Sequence, residues 1–322
     1  MKPYPIQFQP VFQERVWGGR NLERFGFDLP ENRRIGEGWM ISDHPNGITK
    51  AVNGPLQGMG LDQIREKYGK EWFGRKNPAH LSRFPLLIKL LDSHDDLSVQ
   101  VHPNDHYEHL PEGELGKTEM WYILAAEPGA KIIFGLNESI RDRETLQQYI
   151  EEDRILDGLQ QVEAKAGDAF YIPAGTVHAL GKGIIVAEIQ QNSDTTYRLF
   201  DYNRPGLDGK PRDLHIEDSL NVISYSNQGA EYVQSSLPKP NEWSTLASSP
   251  YFIVDLGAVD GRWDMHATMD SFIIHMICEG SGELHWNGGS LQARAGDCFL
   301  LPANLGEYSF VGNMQLLRAQ LP

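Results

Sequence analysis

Two stretches of this chain copy one another: EAKAGDAFYIPAG (163–175) and QARAGDCFLLPAN (292–304) align without a gap, matching Gly167 to Gly296, Asp168 to Asp297, Phe170 to Phe299 and Pro173 to Pro302. Each reads as a Gly-Asp turn feeding an apolar strand that stops at a proline, since Gly frees the turn and Pro cannot donate to a sheet ladder. Few folds accommodate such a repeat. It implies two related β units, each using the copy as the same corner of a barrel. Extending the alignment places His178 opposite Glu307, so chemistry that needs the histidine belongs to the first unit.

The segments around the first copy are strand-like. RFPLLIKLLDSHDDLSVQVH (83–102) holds two apolar runs split by an acidic turn, and TEMWYILA (118–125) with AKIIFGL (130–136) suggests a hairpin around Glu127–Ala130. Residues 137–160 carry apolar positions at loosely helical spacing, and LHIEDSLNVISY predicts a second helix capped by Asp213. The stretch 224–250, rich in Ser, Pro, Asn and Gln, reads as a connector with a boundary near 235. Beyond it, YFIVDLGAV, SFIIHMICEG, GELHWNGG and GDCFLLPA alternate with Gly-rich turns, predicting a compact β barrel. The expected class is mainly β: a unit over 1–235 with a small helical portion, and a second unit over 236–322.

Charge narrows the partners. A formal net charge of -15 opposes a nucleic-acid backbone or an anionic membrane, so neither is expected as a partner. It also fails to steer a small anion, so an anion site must be a local cationic pocket within a screening length. Cys278 and Cys298 give no disulfide framework, the start MKPYPIQFQP has no apolar signal region, and no run of about 18 apolar residues occurs. A cytoplasmic location is expected; the sequence assigns no oligomeric state.

Gln100 and His102 lie two apart in LSVQVHP, which on a strand puts both side chains on one face. Glu119 opens the strand TEMWYIL, and His178 follows the turn 173–177. Imidazole, carboxylate and amide oxygen suit one divalent ion, zinc first, with manganese, iron, cobalt or nickel also accepted by these donors. The spacing Gly167-x5-Pro173-x-Gly175-x2-His178 resembles the second motif of the cupin superfamily, and Gln100-x-His102 resembles its first with Gln for one His. The segment 103–117 then reads as an inserted loop in which His106 and His109 are solvated.

WGG (17–19), GEGWMISDHPNG (36–47), LSVQVHPND (97–105), GKTEMWYIL (116–124), GDAFYIPAGTVHAL (167–180) and QQNSDTTYRLFDYNR (190–204) together resemble the type I mannose-6-phosphate isomerases in their short bacterial form. The resemblance implies two cupin-like (jelly-roll) barrels, zinc on Gln100, His102, Glu119 and His178, and a catalytic Arg198. It implies a sugar-phosphate substrate and aldose–ketose interconversion through an enediol. Lys117 shares the strand face of Glu119, and Lys89 and Ser98 are further substrate-binding candidates; Glu37, His44 and Asp194 are candidate bases. Arg198 keeps its proton and suits charge stabilisation rather than proton abstraction. Two other readings stay open from the residues alone: a different cupin metalloenzyme such as a dioxygenase, and a non-catalytic bicupin sugar-binding protein.

Overall fold

The computed structural model describes residues 1–78 and 82–322, and the chain is mainly β with three α-helices among them. Its strands form three sheets, all strand pairs antiparallel, each sheet running as an open path from edge to edge. The seven-stranded sheet runs Glu231–Gln234, Asp168–Ile172, Glu119–Ala126, Ile184–Gln191, Leu86–Ser93, Ile35–Ile41 and Val11–Gly19. The five-stranded sheet runs Tyr197–Phe200, Val99–Val101, His178–Leu180, Lys131–Leu136 and Leu159–Glu163. Leu91, Trp121, Ile123 and Phe170 from the first pack with Ile132, Phe134 and Leu180 from the second, so the two sheets share a core.

The eight-stranded sheet takes the strands from Trp243 onward and adds Ile6–Gln9 and Lys50–Ala51 from the beginning of the chain. Ile6 pairs with Leu300 and Phe8 with Ala51, and both Ile6 and Phe8 are buried. The repeat read in the sequence is a repeat in space. Gly167 and Gly296 adopt φ of 94° and 92°; Asp168 accepts from the Lys165 N–H at 2.8 Å, and Asp297 from the Arg294 N–H at 2.9 Å. The Gly167 N–H donates to the Ile123 carbonyl, as the Gly296 N–H does to that of Ile277.

The expected hairpin does not form: Glu119–Ala126 and Lys131–Leu136 are joined by the turn 127–130 but lie in different sheets, and the two strands of 83–102, Leu86–Ser93 and Val99–Val101, likewise separate into different sheets. The connections therefore carry the chain across the core rather than along one sheet. Helix α1 (Leu61–Phe73), not anticipated above, is kinked at Gly69, which takes φ 47°, while Leu61, Ile64 and Trp72 remain buried on its inner face. Helix α2 (Arg143–Glu151) is capped by Asp142, which accepts from the Thr145 N–H. Helix α3 (Ile216–Val222) starts later than expected: His215, not Asp213, is the flanking residue, and its side chain makes no cap bond.

Candidate metal centre

Sheet register assembles the site. Arg198 and His178 are the cross-strand partners of Gln100 on either side, so these three form one row across the five-stranded sheet. Glu119 opens its strand in the seven-stranded sheet beside Gln190, and its carboxylate meets that row from across the core.

The ring nitrogens resolve into roles. His102 Nδ1 lies 2.9 Å from the Thr195 carbonyl and His178 Nδ1 lies 2.8 Å from that of Thr176. A carbonyl only accepts, so each Nδ1 carries the proton and each Nε2 of the neutral ring presents a lone pair. Both Nε2 atoms face Glu119, at 3.6 Å for His102 and 3.1 Å for His178. Gln100 Nε2 lies 3.3 Å from His178 Nε2; half a turn of that amide would present its oxygen instead.

Glu119 is fully buried, and neither carboxylate oxygen has a hydrogen-bond partner. An ionised carboxylate left that way is costly, by several kcal/mol. Burial pushes its pKa up, but the Lys117 ammonium first, and then the two imidazoles, hold it well below the usual range. Burial and the Lys117 ammonium likewise hold the His102 imidazole well below its ordinary range, hence neutral. One carboxylate oxygen and the two imidazole nitrogens lie within 4.8 Å of one another, a donor set that fits a divalent cation.

A cavity of about 530 Å³ opens above this cluster, with Gln100, Ser98, Lys117, Lys89 and Arg198 in its lining. The sheet that supplies Glu119 also supplies a charged wall. Lys89 Nζ sits 3.2 Å from Glu188 and 3.7 Å from Glu37; Arg15 Nε donates to Glu37 at 2.8 Å. Two indoles also donate to these carboxylates, Trp39 to the Glu37 oxygen that faces Lys89 at 2.7 Å and Trp121 to the other oxygen of Glu188 at 2.8 Å. Burial opposes ionisation of Glu37, yet Lys89, Arg15 and the Trp39 N–H bring it down to about 2. Glu188 is shifted up, by burial first and by the like charge of Glu119.

All the expected residues on this wall come together: Lys117 Nζ lies 3.4 Å from Glu119 and 3.1 Å from His102 Nε2. Glu37 and Asp194 line the cavity. His44 does not; it is buried against Glu114 at 3.1 Å. His106 and His109 are exposed. Cys278 and Cys298 are buried free thiols, and His275 is buried against the Tyr308 hydroxyl at 3.0 Å. Sequence reasoning passed over Glu188, Trp121, Arg15 and Arg212. Glu188 alone carried a usable signal, a lone acid inside the apolar run IIVAEIQQ.

The mainly β fold, with a C-terminal stretch over 242–321 that matches the model of the mannose-6-phosphate isomerase cupin domain, places the chain among the cupin proteins. Residues 6–125 match the model of the phosphomannose isomerase type I catalytic domain. The chain belongs to the type I phosphomannose isomerase family, and it is an enzyme of the isomerase class. It is 39% identical to the mannose-6-phosphate isomerase ManA of Bacillus subtilis (strain 168), covering 100% of both chains. It is 38% identical to a mannose-6-phosphate isomerase of Streptococcus mutans, covering 97% of each. The crystal structure of the Bacillus subtilis mannose 6-phosphate isomerase superposes with a TM-score of 0.89 at 38% identity, over 98% of this chain and 99% of that one. No helix among the described residues is long and apolar enough to cross a membrane.

Proposed function

We propose that this chain interconverts mannose 6-phosphate and fructose 6-phosphate through an enediol, at one divalent ion, zinc first, held by Gln100, His102, Glu119 and His178. The observation that carries the reading is the buried Glu119 carboxylate, without a hydrogen bond at either oxygen, countered by the Lys117 ammonium and faced by two ring nitrogens beneath a polar cavity. When bound, the ion would supply Lewis-acid stabilisation of substrate oxygens. The chain's own groups do the rest. Arg198, in register with Gln100, offers a permanent cation to developing negative charge, and Lys117 lies beside the ligands to bind a substrate oxygen. Ser98 and Lys89 face the same cavity, whose volume suits a small sugar phosphate. Among the bases considered, His44 lies outside the lining and Glu37 is too acidic to accept a proton readily, which favours Asp194.

The two halves, divided near 235, are read as two cupin-like barrels, the second without a metal site. In support, register matches Glu119 to Ile273 in the second copy, through Ile172 and Leu301, while sequence matches His178 to Glu307. The free, buried thiols suit a cytoplasmic location. The test is a coupled isomerase assay on mannose 6-phosphate before chelation, after it, and with zinc restored. Activity should vanish and return; activity indifferent to chelation would sink the metal reading.

A further inference from the structure

The carboxylate of Glu114 lies outside the cavity lining described above, yet it draws donors from four residues. Oε1 accepts from His44 Nε2 at 3.1 Å and from Arg83 Nη1 at 3.3 Å; Oε2 accepts from Ser193 Oγ at 3.2 Å and from the Asp194 N–H at 3.3 Å. Burial opposes its ionisation, but the bond from His44 and the charge of Arg83 bring its pKa down to about 2. Glu114 belongs to the loop 103–117, which departs directly after His102 and returns where the Lys117 N–H donates to the Pro103 carbonyl at 2.9 Å. A candidate metal ligand stands at one end of this loop and a candidate substrate contact at the other, so what holds the loop bears on both.

Two chains of hydrogen bonds run from this carboxylate to groups of the site. Residues 193–196 lie between the strands Ile184–Gln191 and Tyr197–Phe200 and belong to neither, so side chains rather than a sheet ladder fix them. Glu114 accepts from the Ser193 hydroxyl, Ser193 Oγ accepts from the Thr195 N–H at 3.3 Å, and the Thr195 carbonyl accepts from His102 Nδ1 at 2.9 Å. The second chain passes through His44. A backbone N–H only donates, so the Asn46 N–H, 3.2 Å from His44 Nδ1, fixes that ring with its proton on Nε2, the atom that donates to Glu114. The Asn46 side chain then donates to Asp194 Oδ2 at 2.9 Å, the one bond which that carboxylate accepts among the described residues.

Main chain and side chain of Asp194 are thus both tied to Glu114, and so is the carbonyl that fixes the His102 tautomer. We propose that Glu114 is a positioning residue for the isomerase reaction: through Ser193 and Thr195 it sets the His102 ring, and through the Asp194 N–H, His44 and Asn46 it sets the Asp194 carboxylate at the cavity wall. This rests on the metal and base assignments proposed above.

Zinc affinity by chelator competition and steady-state kinetics on mannose 6-phosphate, both with the full-length chain, test it. Glu114→Gln must turn an amide N–H toward either the His44 or the Asp194 donor. It should raise the zinc dissociation constant by about ten-fold and lower kcat by at least about as much, the scale on which groups that orient a metal ligand act, with KM within about two-fold. A misfolded fraction would bind less zinc per chain with an unchanged constant, so the constant separates positioning from damage. Ser193→Ala should raise the constant too, and the double variant should lose less than the product of the two single losses, since both cut one chain. A zinc constant within about two-fold of wild type in Glu114→Gln, whatever the turnover, or full multiplication of the two losses, would overturn the role. Were the wild-type chain inactive on mannose 6-phosphate or without affinity for zinc, the functional reading would fail instead; proton–nitrogen correlation spectra of nitrogen-labelled histidine would then judge Glu114, an Nδ1–H tautomer of His102 unchanged in Glu114→Gln overturning it.

Discussion

Each histidine of the candidate centre commits one ring nitrogen to a carbonyl, which leaves the other with only one role to play, and Glu119 has no partner besides these rings and Lys117. Replacing Glu119 by Ala should therefore empty the site: metal per chain, measured by atomic spectrometry, falls with turnover. Arg198→Ala should separate the two, lowering kcat by about 100-fold with metal content unchanged, the scale seen when one charge-stabilising donor is removed. Near-normal turnover would end its catalytic role. Glu37 makes a different prediction, on stability. Its pKa falls from 4.5 unfolded to about 2 folded, so its contribution, on the order of 3 kcal/mol, is fully present above pH 4.5 and is lost as pH falls toward 2. Glu37→Gln should lower the urea midpoint at pH 7, and the gap to wild type should narrow across that window; a gap constant with pH would contradict it. The cluster of the candidate centre was legible in part because motif spacing puts His102 on one strand face with Gln100 and His178 just beyond a turn. Glu188 and Arg212 were hidden because their partners, Lys89 and Asp201, are supplied by cross-strand register and by an irregular loop.

The repeated turn links sequence to geometry at the level of the element. Gly167 and Gly296 share a positive φ near 90° where a side chain is strained, yet their surroundings differ. A Cβ on Gly167 would meet nothing nearer than Ser235 Oγ at 3.8 Å, whereas one on Gly296 would lie 2.5 Å from Phe25 Cβ. Both Gly→Ala changes should destabilise by at least about 1 kcal/mol, and Gly296→Ala by clearly more, as read from urea midpoints. Equal effects would mean that Phe25 yields freely. Strand identity was readable from apolar runs, but pairing was not. The turn 127–130 looks like a hairpin by composition, yet hydrophobic burial on both sheet faces sends the two strands to opposite sides of the core. Helix α1 shows the converse: Leu61, Ile64, Tyr68 and Trp72 keep helical spacing, but the strongly polar, Gly-containing segment around them lacks a long amphipathic run.

At the scale of the molecule, the polar connector near 235 marks a change in composition but not a clean cut in packing. Ile6–Gln9 pairs with Cys298–Leu301, the Ala303 N–H donates to the Trp72 carbonyl, and Phe73 and Phe84 pack on Phe272. These contacts join the first 84 residues to the last sheet, far from the connector in sequence, which is why local composition could not disclose them. Without Ile6–Gln9, the strand Cys298–Leu301 would present an unpaired edge beside the buried Phe299 and Leu300, a template for association with other chains. Deleting residues 1–9 should therefore lower the unfolding midpoint and promote aggregation, although no proposed metal ligand is removed. The same contacts bear on cooperativity. If they couple the halves as their burial suggests, scanning calorimetry of the intact chain should give one endotherm, and the isolated segment 236–322 should fail to fold as a monomer. Two well-separated endotherms, with the later segment folded on its own, would mean that the N-terminal strand adds little and that the connector is a true domain boundary.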